Sequence, residues 1–326
     1  MTNNTPRIVF MGTPDFAVSS LDALVQAGYD IAGVVTVPDR QTGRGLKVTF
    51  SPVKEYALAH NLPLLQPEKL RDEAFQAELK ALNADLFVVV AFRMLPQSVW
   101  DMPPMGTFNL HASLLPRYRG AAPINWAIIN GETETGITTF LLNEHIDEGA
   151  ILLQERTTIA PTDTVETIHD RLAEMGRNLV VRTVAGLTDG TLTGTPQNPP
   201  EEMTSPNGRS AFLAPKIFKA DCAINWNQPG RHIVDFVRGL SPYPAATMVM
   251  LDAAGAEHPF KVYEVAFEPT EKSNKNAVLT DQKSFLKVSV SDGYIQILSL
   301  QPSGKRRISV SEFLRGHNVN NWEIKK

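Results

Sequence analysis

A chain of 326 residues, 43% hydrophobic and 20% charged, has the composition of an ordinary globular protein and exceeds the size one core usually serves, so two domains are expected and disorder is excluded. Its single cysteine, Cys222, excludes a disulfide framework, and no stretch approaches a membrane span or a secretion signal, so a cytoplasmic protein with no membrane partner is expected. The net charge of −4 hides an asymmetry, with 16 Lys+Arg against 24 Asp+Glu before Phe212 and 15 against 11 from there on, which suits a basic second domain meeting nucleic acid but also lies within ordinary scatter.

Residues 7–11 (RIVFM) read as a buried strand, followed by Gly12-Thr13-Pro14-Asp15 and a helix over 16–27 that Gly28 stops. Thr13 is the expected N-cap and Pro14 the first helical residue. The turn lacks the three-glycine dinucleotide fingerprint, so no nicotinamide or flavin site is expected. After a second strand over 29–37 comes PDRQTGRGLKV, residues 38–48, a long loop carrying Arg40, Arg44 and Lys47. Such a loop is either a mobile phosphate-contacting element or plain solvated chain. A helix from Ser51-Pro52, a short strand at 62–65 and a polar helix over 72–82 lead to LFVVVA, residues 86–91, which reads as a fully buried strand. Phe92, Met94 and Leu95 beyond it suit either a flat apolar pocket or core packing.

The organising stretch is FNLHASLLPRYRGAAP, residues 108–123. It leaves a buried strand for an irregular loop, the position at which open α/β sheets hold ligands. Asn109 and His111 are two apart and share a strand face. An amide beside an imidazole can hold an oxygen that becomes negative during acyl transfer, with Arg117 and Arg119 charging the rim. The pair can equally be a strand cap and a satisfied structural histidine. A helix over 123–130 and a strand over 135–142 precede the polar turn 143–149, where Asp147 can orient an imidazole or serve as an ordinary turn residue. His145 is a rival imidazole without an asparagine partner. A strand over 150–158 and a long amphipathic helix over 164–187 close this part.

Residues 190–208 are rich in Pro, Thr and Gly with no hydrophobic period and read as a linker. Short strands follow at 223–226, 247–251, 260–265, 277–280, 285–290 and 294–300, with a helix over 231–238 and a short one from Ser311. This spacing suggests a small barrel of the oligonucleotide-binding (OB) type. Lys305-Arg306-Arg307 is a candidate nucleic-acid contact or a solvated turn. No HExxH, paired CxxC or GxSxG occurs, so no metal or serine-nucleophile site is expected. Residue chemistry alone reaches as far as an α/β group-transfer enzyme with a basic barrel.

HASLLPRYRGAAPINW, with Asn109 ahead of it, resembles the signature of the folate-dependent formyltransferases. GTPDFA at 12–17, PDRQTGRG at 38–45 and LQPSGK at 300–305 resemble the members that act on methionyl-tRNA, and the likeness runs over essentially the whole chain. It implies a Rossmann-like formyltransferase domain with a mostly parallel sheet over 1–189, a linker over 190–211 and an OB-like tRNA-binding domain over 212–326. It further implies transfer of the formyl group of 10-formyltetrahydrofolate to the α-amine of methionine on initiator tRNA, by a monomer without metal. The family's catalytic residues fall on Asn109, His111 and Asp147, and its folate contacts on Ser113, Leu114, Leu115 and Pro116. Its tRNA-entering loop falls on 38–48, with Arg44 foremost, and Lys305 and Arg306 are further contacts. Residues 91–96 (AFRMLP) run one residue shorter than the family pattern, so no pterin contact is assigned from Phe92 to Leu95. The rival readings are a formyltransferase acting on an amino-sugar nucleotide and a catalytically idle RNA-binding module.

Overall fold

The computed structural model describes residues 5–42, 47–199, 202–270 and 277–325, and Arg44 lies outside them. The chain divides into two compact units. The first comprises Met1–Arg119, Thr135–Thr157 and His169–Glu201, the second Gly120–Glu134, Thr158–Ile168 and Glu202–Lys326.

The chain begins with β1 (Arg7–Gly12), α1 (Asp15–Gln26), β2 (Asp30–Val35), an antiparallel pair of β3 (Arg40–Thr42) and β4 (Lys47–Thr49), α2 (Pro52–Ala59) and β5 (Leu64–Leu65). Next come α3 (Glu73–Ala81), β6 (Leu86–Val90), α4 (Gln97–Trp100) and β7 (Thr107–His111). Then follow α5 (Pro123–Ile129), β8 (Glu134–Leu141), β9 (Ile151–Thr158) and α6 (Val165–Thr188). One seven-stranded sheet has the order β5-β2-β1-β6-β7-β8-β9. Pairing is parallel from β5 through β7 and antiparallel between β7 and β8. The chain steps outward from β1 to β5, then crosses back to lay β6 and β7 on the other side of β1. Ligands of such sheets bind beyond the carboxyl ends of the strands where the winding reverses.

Burial explains the sequence pattern. Ile8, Val9, Phe10 and Met11 of β1 and all five residues of β6 are at most 5% exposed. Both strands are covered on both faces, so they read as unbroken apolar runs rather than alternating ones. The start of α1 differs from expectation: Pro14 is the N-cap, with extended φ −80° and ψ 177°, and offers no side-chain cap, while Asp15 Oδ1 accepts from the Phe16 N–H at 3.0 Å. Asp15 opens the helix, where its charge suits the positive end of the dipole. Ser51 caps α2 by accepting from the Lys54 N–H at 3.1 Å. Asp39, just before β3, accepts from Lys54 Nζ at 2.6 Å and from Gln66 at 2.9 Å. These bonds, the lysine's foremost, hold its carboxyl below the usual carboxylate range.

The second unit contains α7 (Gly230–Leu240), β10 (Ala246–Leu251), β11 (Glu257–Pro269), β12 (Val278–Thr280), β13 (Leu286–Val290), β14 (Gly293–Pro302), β15 (Ile308–Ser309), α8 (Val310–Gly316) and β16 (Glu323–Ile324). Its antiparallel strands, in the order β12-β13-β14-β11-β10-β16, form the small, nearly closed barrel expected of this region. The register of β11 against β14 shifts around Glu264, a bulge that bends the long pair. Val262, Leu300, Val310 and Phe313 meet Ile233 and Val237 of α7 in one core.

The strand expected at 223–226 is reduced to one bridge, Ala223 to Thr247, after a 3₁₀ turn at Lys219–Cys222. The reason is competition for the edge of β10, whose Met250 and Leu251 are already paired with β16. Within the stretch expected as a linker, Thr195 bridges Ile151 through two backbone hydrogen bonds of 2.8 Å. Among the described residues no helix is long and apolar enough to cross a membrane.

One buried ion pair makes a stability test. Asp235, 2% exposed, accepts from Arg238 Nε at 2.8 Å, and Arg238 also donates to the carbonyl of Asp163 at 3.1 Å. Removing Asp235 leaves the buried Arg238 charge with carbonyl partners but without this counter-ion. Asp235→Ala is expected to lower the unfolding free energy by about 3–5 kcal/mol, read from urea denaturation.

Candidate active site

His111 ends β7 and is buried at 6% exposure. Its Nε2 lies 2.9 Å from the carbonyl oxygen of Tyr118. A carbonyl only accepts, so Nε2 carries the hydrogen, and in the neutral ring Nδ1 is the free base. Nδ1 faces Asp147 Oδ2 at 3.8 Å, and the two side chains are 7% and 14% exposed. That separation exceeds a direct hydrogen bond and leaves the carboxylate as an oriented neighbour of the ring. Phe140 of β8 packs edge-on against the imidazole with ring centroids 6.5 Å apart.

Asn109 lies on the same face of β7, between Val89 of β6 and Phe140 of β8. Its side chain is half-buried and, among the described residues, has no hydrogen-bond partner in the protein. A polar amide held on a central strand beside an imidazole is an available donor for an outside group.

The loop after β7 is fixed by a threonine of β8. Thr138 Oγ1 donates to the carbonyl of Ser113 at 2.7 Å, and accepts from the N–H of Leu115 at 3.1 Å and from Gln154 Nε2 at 2.9 Å. Gln154 also donates to the carbonyl of Leu115 at 2.8 Å, and the Ser113 hydroxyl donates to the carbonyl of Arg117 at 2.6 Å. Ser113 and Leu115 are therefore buried frame, whereas Leu114 and Pro116 are half-buried. Arg119 is not a rim charge as expected. It is 6% exposed and donates to Glu148 at 2.8 Å and to Gln197 Oε1 at 2.7 Å.

His111 and Asp147 are thus brought together, and Asn109 shares their strand. His145 is 62% exposed and sits 3.8 Å from Glu144, away from this arrangement. After β6, Leu95 is buried in the core with Val89 and Val99, Phe92 packs partly against that core, and Met94 is 72% exposed. Arg93 donates to the carbonyls of Pro67 and Glu68, and burial pushes its guanidinium below the usual range. Lys305 and Arg306 are exposed on the turn after β14, and Arg306 pairs with Glu312. Among the described residues no group of three or more His, Cys, Asp or Glu is placed to hold a metal ion. Sequence reading missed Thr138, Gln154 and Gln197, since a polar residue in a strand or a Pro-rich stretch gives no sign of its partner.

The family profile described as formyl transferase matches residues 6–184, and that described as formyl transferase, C-terminal domain, matches residues 216–318. A methionyl-tRNA formyltransferase of Bacteroides fragilis is 53% identical over 314 residues, covering 96% of this chain and 95% of its own. One of Parabacteroides distasonis is 54% identical over 312 residues, covering 95% of each. Among solved structures, WlaRD, a sugar 3N-formyl transferase crystallised in the presence of dTDP and 5-N-formyl-THF, has a TM-score of 0.62 at 17% identity, over 93% of this chain and all of that one. This last likeness is one of fold.

The Thr138 hydroxyl joins three partners, and a valine there leaves the Leu115 amide with no acceptor. Thr138→Val is expected to speed hydrogen–deuterium exchange at the Leu115 amide by about tenfold, the equivalent of one lost hydrogen bond, with the amides of β1 unchanged.

Proposed function

The chain belongs to the formyl transferase family, and from that premise we propose that it moves the formyl group of 10-formyltetrahydrofolate onto the α-amine of methionyl-tRNA. The observation that carries this reading is the full-length identity of 53% and 54% to two proteins named methionyl-tRNA formyltransferase. The fold neighbour that acts on a sugar shares only 17% identity, which favours methionyl-tRNA over an amino-sugar nucleotide. Initiator tRNA is the proposed carrier, and the cytoplasm the proposed location of a monomer.

The residues fit a folate donor. Asn109 has an uncommitted amide, His111 a free Nδ1 and Asp147 a fixed carboxylate, which is one donor for a carbonyl oxygen beside two acceptors for a proton in transit. Leu114 and Pro116 offer apolar surface to the pterin, on a backbone that Ser113 and Leu115 hold rigid. The folate supplies an activated formyl group on nitrogen. Asn109 donates to the negative charge that develops on the formyl oxygen when the neutral amine attacks, and His111 joins it once its Nδ1 takes a proton beside Asp147, which together is worth several kcal/mol in a dry site. Asp147 orients the imidazole and, through an ordered water, helps move the amine proton toward the departing nitrogen.

The proposed boundaries are 1–189 for the catalytic domain, 190–211 for the connection and 212–326 for tRNA binding. Lys305 and Arg306 are proposed phosphate contacts, joined by Arg44 from outside the described residues. Incubation with formyl donor and either methionyl-tRNA or an amino-sugar nucleotide tests the reading. Blocking of the methionyl amine is expected, and blocking of only the sugar amine would replace it. His111→Ala is expected to lower kcat by about 10²–10⁴-fold with little change in tRNA affinity, measured by single-turnover formylation and filter binding.

A further inference from the structure

We propose that Gln197 is a positioning residue for this reaction, setting the separation of His111 and Asp147. The inference rests on the role given to Asp147 above. Asp147 sits at φ +55°, a left-handed conformation that persists in a non-glycine residue where its surroundings enforce it. Gln197 provides that enforcement. Its Nε2 donates to the carbonyl of Asp147 at 2.9 Å and to that of Gly149 at 2.8 Å, so one amide closes both sides of the turn.

Arg119 decides which end of that amide faces the turn. A guanidinium only donates, so the oxygen of Gln197 must point to it and the NH₂ to the two carbonyls. The same Arg119 donates to Glu148 at 2.8 Å, and residues 147, 148 and 149 are each held by one member of the pair. Arg119 directly follows Tyr118, whose carbonyl holds His111 Nε2. Imidazole and carboxylate are therefore both referenced to two adjacent residues, one through a backbone bond and the other through Gln197. The turn has no slack to adjust on its own: a Cβ at Gly149 would lie 1.6 Å from the carbonyl oxygen of Leu141.

Two variants separate positioning from folding. Gln197→Ala removes the bridge, whereas Gln197→Glu keeps its shape and its bond from Arg119 but cannot donate to the two carbonyls. With methionyl-tRNA and 10-formyltetrahydrofolate, both are expected to lower kcat by about 10²-fold while KM for each substrate stays within about twofold. Crystal structures of both are expected to show His111 Nδ1 and Asp147 Oδ2 moved apart from 3.8 Å. A kcat within about twofold of the parent's, or a loss carried by KM alone, would overturn the role of Gln197. So would an unchanged His111–Asp147 separation, which is read from coordinates and decides the point whatever the parent enzyme acts on. A parent that leaves methionyl-tRNA unmodified would instead overturn the formylation reading.

Discussion

The bond from His111 Nε2 to the Tyr118 carbonyl is the constraint on which the site depends. It commits the ring hydrogen to one nitrogen, and so decides that the other nitrogen meets the outside. It also requires the chain after β7 to turn back within seven residues, with Tyr118 at φ +58°. The buried ties around Thr138 make that turn possible. Each satisfies a backbone group that would otherwise be stranded in the interior, so the loop is irregular in path yet as fixed as a strand.

Much of this was legible in the residues. The doubly wound sheet follows from unbroken apolar runs at β1 and β6 alternating with helical periods, and Asn109 and His111 share a face by the two-residue period of a strand. What stayed hidden was pairing over long sequence separations. Nothing local distinguishes Arg119, buried against Glu148 and Gln197, from Arg117 two residues earlier. Thr138 and Thr139 are adjacent and both fully buried, yet their hydroxyls serve different partners, Ser113 and Thr183. The strand expected at 223–226 failed for a similar reason, because its β propensity met an edge already taken by β16, far later in the chain.

The basic charge of the later part is less uniform than its count suggests. Arg306 is shared with Glu312, and Arg307 bonds to the Ser299 hydroxyl and lies over the Tyr263 ring at 4.6 Å. Arg307 is thus held against the barrel, while Arg306 stays largely exposed and shared with a carboxylate.

Thr195 and Gln197 lie beyond the point at which the formyl transferase profile stops, Thr195 joined to β9 and Gln197 to the turn that carries Asp147. Dissecting the protein at the profile's edge keeps all seven strands and the three polar side chains of the site while discarding both ties. Such a fragment has the parts of the centre without the fastening of one of them, so the useful cut for an isolated first domain falls after Gln197.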